Sequence, residues 1–229
     1  MDAVRLIMSG AVVGQELAAE FGPLPPSLLP VGVQRLYDLQ LEALKGTGWR
    51  LVLPEAFALS DFDAERLAAA GVEVVPIPEG LRLGEAVVYA LNSIGAGEGP
   101  VHILHGDTLI AEPPLHETDV IVGGRRSNEY AWAEIETDAA GRITALVDTR
   151  AGEEGREHQP VAAGYFAFSS GVDLLRSLTR MRGDFIAGVN HYVAGHPVRV
   201  ARGGRWLDFG HLQTFFQSRL AGDRPPCGR

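Results

Sequence analysis

The chain has 229 residues, 46% hydrophobic and 21% charged, enough for one domain with a sizeable core. Its net charge of −9 is spread without a basic block, which argues against a nucleic-acid partner, because phosphate neutralisation supplies most of that affinity. No run nears the roughly 18 apolar residues that span a bilayer, and the N-terminus lacks a basic-then-apolar signal pattern. The one cysteine, Cys227, can make no internal disulfide, so the expectation is a cytoplasmic protein without membrane insertion.

Short apolar runs alternate with helical patterns, the signature of βαβ units and a mainly parallel sheet. VRLIM (4–8) reads as a buried strand, and residues 10–16 as the loop that leaves it. Residues 34–45 read as a helix with Leu36, Leu39 and Leu44 on one side. A strand at 49–54 precedes a helix at 60–71, capped by Ser60 and stopped by Gly71. A third strand (72–78), a helix (83–95) and a fourth strand (101–107) complete the first half. The second half is mixed. Strands are expected at 119–125, within 130–148 (two, joined at 138–141), at 160–170 and at 197–202. Helices are expected near 171–181, 184–194 and 211–222, with 206–210 breaking the last strand. In an open sheet of this kind ligands sit at the carboxyl ends of the strands.

Two acidic residues stand out. Asp107 follows Gly106 at the end of an apolar strand, where a carboxylate projects into the ligand crevice and suits a hard cation such as Mg²⁺. The simpler reading is a turn in which Asp107 bonds the backbone. Asp208 lies between Leu207 and Phe209, and an acid in an apolar segment needs a partner or an ion, unless it caps the final helix. Together, two strand-end acids about a hundred residues apart are what a metal bridging nucleotide phosphates requires. The seven histidines form no metal-spaced pair, and His105 and His211, beside the two acids, read as packing or backbone-bonding residues, with a place in the cleft lining or a general-base role the lesser alternative. Ser9, Ser27 and Ser127 lack the strained elbow of a hydrolase nucleophile. Trp132, Tyr165 and Phe166 read as core, with sugar or base stacking the lesser alternative for Trp132. Residues 153–158 read as a solvated loop or a lid.

The pattern resembles the sugar-phosphate nucleotidyltransferase (nucleotide-sugar pyrophosphorylase) family along nearly the whole chain. PPSLLPVGVQRLYDLQLEAL resembles that family's PKPLLPVGGKPLIEYQIEAL, and LHGDTLI its metal-binding Gly-Asp strand end. YAWAEIETDAAGRITALVD resembles its YGVVEVDEDGRI hairpin, VAAGYFAFSS its NTGIYVFSP strand, and WLDFGHLQTFFQSR its WLDIGTPEDYLEAN ending. The resemblance implies an α/β fold of Rossmann-like, glycosyltransferase-A type with a mixed, mostly parallel central sheet. It implies Mg²⁺-dependent attack of a sugar phosphate on a nucleoside triphosphate, releasing pyrophosphate, as in the supply of surface-polysaccharide precursors. Residues 1–118 would be the nucleotide-binding half of one domain, 119–222 the sugar-phosphate-binding half and 223–229 a tail. Asp107 and Asp208 would be the catalytic metal ligands. Gly10, Gly14 and Gln15 would approach the nucleotide phosphates, and Gly84 and Glu85 the base. Arg125, Asp148, Arg150 and Gly164 would meet the phosphorylated acceptor. Homo-oligomerisation is compatible with this reading.

The first loop departs from the family. Where the family has Gly-x-Gly-Thr-Arg, this chain has Gly14, Gln15 and Glu16, and its Pro-Lys pair is Pro25-Pro26. Its Glu-Lys-Pro segment is matched at best by Asp148-Thr149-Arg150. Such transfer depends on cations facing the developing charge. Two readings stay open. The site is rewired, with Arg35, Arg125, Arg126, Arg150 or Arg156 supplying charge, or the chain is a degenerate relative that binds a nucleotide or sugar nucleotide without turnover. A metal-dependent glycosyltransferase is a further alternative.

Overall fold

The computed structural model describes residues 3–45, 48–95, 97–125, 130, 132–149 and 159–222. In chain order, β1 (Val4–Met8), α1 (Gln15–Phe21), a 3₁₀ turn at Pro26–Leu28, the short strands β2 (Pro30–Val31) and β3 (Gln34–Arg35), and α2 (Leu36–Leu44) come first. Next are β4 (Trp49–Pro54), α3 (Asp61–Ala69), β5 (Glu73–Ile77), α4 (Leu83–Ser93), β6 (Val101–His105) and β7 (Thr108–Ile110). The second half holds β8 (Val120–Arg125), β9 (Ala133–Thr137), β10 (Ile143–Asp148), β11 (Pro160–Phe168), α5 (Gly171–Arg180) and α6 (Phe185–Val193). β12 (Arg199–Ala201), β13 (Trp206–Asp208) and α7 (Leu212–Gly222) close it.

Nine strands form the main sheet, in the order β10-β9-β11-β6-β1-β4-β5, with β8 paired to β11 and β12 to β8. Its centre, β6-β1-β4-β5, is parallel. β11 runs antiparallel to β6, β8 and β9. Because helices cover both faces, the central strands bury apolar side chains on both sides instead of alternating apolar with polar. Leu6, Met8, Val52, Ile103 and Phe166 face one core, into which α4, α5 and α6 send Val87, Leu178 and Val189. Ile7, Leu51, Leu104 and Tyr165 face the other, with Tyr37 and Leu44 of α2 and Leu67 of α3. A third cluster joins the first loop to the chain's last helix: Val13, Leu17, Phe209 and Phe215 are buried together. The rings of Phe21 and Phe215 lie 4.8 Å apart.

The expected caps of α3 are present. The Ser60 hydroxyl accepts from the Asp63 N–H, and Gly71 turns the chain at φ +68°. Three local expectations need correction. The second half of the 10–16 loop opens a helix, α1, with Gly14 as its N-cap. Residues 206–208 form a strand, β13, because the chain folds back onto β7 in antiparallel register. The buried face of α2 is Leu36, Tyr37, Gln40 and Leu44, while Leu39 is only half-buried. The four-residue spacing 36-40-44 follows the helical stripe, and Leu39 falls off it.

Candidate active site

β1 and β6 lie side by side and parallel, so the loops leaving their carboxyl ends meet. The Gly106 N–H donates to the Met8 carbonyl at 2.9 Å, which ties the turn after β6 to the end of β1. A cavity of about 280 Å³ opens there, lined by residues 8–14, Pro26, Leu81, Leu83, Ala86, His105, Gly106, Asp107 and Gly210.

The fold brings the two acids together. β13 pairs with β7 so that Asp208 lies opposite Thr108, and the Phe209 N–H donates to the Asp107 carbonyl at 2.8 Å. A Cβ placed on Gly210 would stand 2.7 Å from Asp107 Oδ2 and 3.4 Å from Asp208 Oδ1, so both carboxylates converge over that glycine. Burial, and then the neighbouring Asp107 charge, push the Asp208 carboxyl up to about 7. The Gly210 N–H reaches Asp208 Oδ1 at only 3.4 Å. Asp208 Oδ2 is buried and meets no donor in hydrogen-bond geometry among the described residues, and the nearby Thr214 hydroxyl and Gly210 N–H offset the upward shift only in part. An uncompensated carboxylate oxygen beside a second carboxylate fits a hard divalent cation, which would relieve both the desolvation and the repulsion. Among the described residues no group of three or more His, Cys, Asp or Glu side chains is gathered. A cation at this pair would therefore complete its shell with phosphate oxygens and water.

The other residues singled out in the sequence fall in different places. Gly10 and Gly14 line the cavity, and Gln15 is not among its lining residues. A Cβ at Gly10 would run into Ile77. Gly84 and Glu85 are not among the cavity's lining residues. A Cβ on Gly84 would stand 2.5 Å from the Gly183 carbonyl. Glu85 closes the start of α4 by accepting from the Arg82 N–H and guanidinium, each at 2.9 Å. In that segment Leu81, Leu83 and Ala86 reach the cavity instead, and nothing in a lone apolar residue marks it in sequence as cavity wall rather than core.

Gly164, at φ +82°, packs against Thr108, beside Asp107, where a Cβ would stand 2.5 Å from the Thr108 hydroxyl oxygen. Arg125 ends β8, exposed and opposite Pro160. Asp148 ends β10 opposite Ala133, and burial together with the Asp184 charge raises its carboxyl. Arg150 lies outside the described residues, as do Arg126, Ser127, Arg156 and the 153–158 segment. Arg35 is held elsewhere, 3.2 Å from Asp63 and 3.3 Å from the Leu28 carbonyl. The described lining of the cavity contains no Arg or Lys. His105 packs between Phe166 and Phe185, at 5.3 and 5.9 Å between rings, and burial pushes its imidazole down. His211 stacks on Tyr130 at 3.8 Å, and Trp132 meets Trp206 edge-on at 4.9 Å.

No protein-family model matches the sequence, and no curated protein matches it in sequence. Solved structures do match, over almost the whole chain. The CTP:phosphocholine cytidylyltransferase of Streptococcus pneumoniae is similar with a TM-score of 0.74 at 11% identity, covering 97% of this chain and 100% of that one. The nucleoside-diphosphate-sugar pyrophosphorylase of Vibrio cholerae RC9 gives 0.70 at 12%, covering 96% and 100%. The fold is that of the nucleotide-sugar pyrophosphorylases. A UDP-glucose pyrophosphorylase complexed with UDP-glucose shares it with a TM-score of 0.67 at 13% identity, covering 96% and 98%. The glycosyltransferase-A-like α/β architecture expected from the sequence is thus the one observed. In this pyrophosphorylase fold the first loop, Asp107 and Gly210 border one cavity. Among the described residues no helix is long and apolar enough to cross a membrane.

Proposed function

We propose that the chain is a divergent nucleotidyltransferase that joins a nucleoside triphosphate to a sugar phosphate, or to a similar small phosphorylated acceptor. The observation that carries this is the convergence of Asp107 and Asp208 over Gly210, at the edge of the first-loop cavity, in a fold shared with nucleotidyltransferases. An acceptor phosphate oxygen attacks the α-phosphorus and forms a P–O bond. The bond from that phosphorus to the α–β bridging oxygen breaks, and pyrophosphate leaves with the electron pair. Asp107 and Asp208 hold Mg²⁺, which supplies charge neutralisation for the triphosphate. Residues 10–14 approach the phosphates through backbone N–H groups, and Leu81, Leu83 and Ala86 wall off water from the nucleotide. The 1–118 half takes the nucleotide and the 119–222 half the acceptor, through Arg125, Asp148 and the Arg150 segment. The setting is cytoplasmic, and the product class suits surface-polysaccharide precursors.

A second reading, nucleotide or sugar-nucleotide binding without turnover, is favoured by one observation: the described cavity lining has no cation where the resembled family places an Arg and a Lys. Losing two such groups costs on the order of 3 kcal/mol of transition-state stabilisation each. Thermal shifts with ATP, CTP, GTP, UTP and dTTP, with and without Mg²⁺, followed by pyrophosphate release against sugar phosphates, separate the two. A triphosphate at 100 times its Kd adds about 2.7 kcal/mol, readily seen as a raised Tm. A Mg²⁺-dependent shift with pyrophosphate release is expected, and a shift without release on any acceptor supports the binder. Asp107→Asn is expected to abolish the Mg²⁺-dependent activity, and full turnover in that variant would refute the metal assignment.

A further inference from the structure

We infer that Gln40 is a positioning residue for the acidic pair, acting through the backbone of the turn that carries Asp107; this rests on the metal assignment proposed above. Gln40 lies in α2 and is 0% exposed. Its amide nitrogen donates to the carbonyls of Thr108 at 2.8 Å, Gly106 at 3.0 Å and His105 at 3.3 Å. These carbonyls flank Asp107 on both sides. The Gly106 carbonyl also accepts from the Ser27 hydroxyl at 3.1 Å, and the Ser27 N–H donates to the Ser9 hydroxyl oxygen at 3.0 Å. The Asp107 carbonyl is held by Phe209 N–H. Each carbonyl from 105 to 108 therefore has a protein donor, and the turn is fixed at once to α2, to the first loop and to the segment bearing Asp208.

The chemistry of the amide shows which end matters. Gln40 has two N–H groups for three carbonyls, while its Oε1 finds no donor among the described residues. A buried side chain with an orphaned acceptor is costly, and Leu or Met would fill the same stripe of α2 without that cost. The donor end is what the fold uses, and it is aimed wholly at the Asp107 turn. Partners that orient metal ligands typically contribute about 10- to 100-fold to metal affinity, which is the effect expected here through the backbone.

Gln40→Met keeps the length of the side chain and removes both N–H groups. Tyr37→Phe is the control: it sits on the same buried face, but its hydroxyl donates to Asp63 and not to the turn. Binding of Mn²⁺, standing in for Mg²⁺, is followed by electron paramagnetic resonance on the full chain, and amide hydrogen exchange is read over residues 105–110. Gln40→Met is expected to weaken Mn²⁺ binding by about tenfold or more and to speed exchange in the turn. Tyr37→Phe is expected to change neither, although its Tm falls. Should Gln40→Met not fold, Ser27→Ala removes the second donor to Gly106 and is expected to weaken Mn²⁺ binding by a smaller factor. Wild-type Mn²⁺ affinity in a folded Gln40→Met chain, or in Ser27→Ala where that variant stands in, overturns the positioning role. Absence of Mn²⁺ binding by the wild type overturns the metal assignment itself.

Discussion

Asp208 is a carboxylate held against its own preference. Its carboxyl sits at about 7 instead of its ordinary 3.8, because the ionised form is both desolvated and next to Asp107. The folded chain thus binds this proton more tightly than the unfolded chain, and the apo protein loses stability at this residue as pH rises from about 4 to 7. Asp208→Asn removes the charge. Its stability relative to wild type is expected to grow by on the order of 4 kcal/mol across that window and to level off above pH 7. The same variant should lose any Mg²⁺-induced rise in Tm. Urea titrations at several pH values, with and without Mg²⁺, check both. An Asp208→Asn chain less stable than wild type at pH 8 would show that the carboxylate is satisfied by the protein alone. Gly164 presents the opposite case, a residue fixed by shape. At φ +82° and in contact with Thr108, Gly164→Ala is expected to cost about 2 kcal/mol or more, seen as a lowered Tm with any ligand.

At the scale of elements, β6 and β11 are stitched by His102, whose ring nitrogen meets the Tyr165 hydroxyl at 2.7 Å in a buried site. Burial pushes this imidazole down to about 4. A depressed histidine contributes stability that is whole above its ordinary 6.5 and is lost as pH falls from there towards 4. Relative to a non-titrating His102→Gln variant, wild type is expected to lose on the order of 3 kcal/mol across that interval. A constant difference between the two chains would place a charged imidazole in the fold. The elements themselves were legible to very different degrees. The parallel strands showed as short, mostly apolar runs, and Asp107 and Asp208 stood out because an acid ending or interrupting such a run is visible without any neighbour. α1 did not show, since QELAAEF is short and lies between Gly14 and Gly22 with only Leu17 buried. β13 did not show because its partner β7 is about a hundred residues earlier. Gln40 was hidden by its polarity, although its place between Leu36 and Leu44 at four-residue steps is the signal that could have found it. Gly84 and Glu85 were placed near the base by resemblance alone; in the structure Gly84 packs against Gly183 and Glu85 caps α4, outside the cavity lining.

For the whole molecule, the third core cluster matters most, because it clasps the first loop between α1 and α7. Phe215 is fully buried and touches the rings of Phe21, Phe209 and Phe216. Phe215→Ala is expected to cost about 3–5 kcal/mol. In a domain of this size that lowers Tm by roughly 10 °C or more, and any nucleotide-induced shift should weaken with it. Unchanged nucleotide affinity in that variant would uncouple the clasp from the loop. The pairing of β7 with β13 also has a consequence for the chain as it is made. At roughly 5–20 residues per second, Asp208 is added to the growing chain about 5–20 s after Asp107. During that interval β1, β4, β5 and β6 can already assemble side by side, while β7 still lacks its partner strand and Asp107 its companion acid. A nascent chain of this protein can therefore build most of its parallel sheet before its two cavity-edge acids can meet.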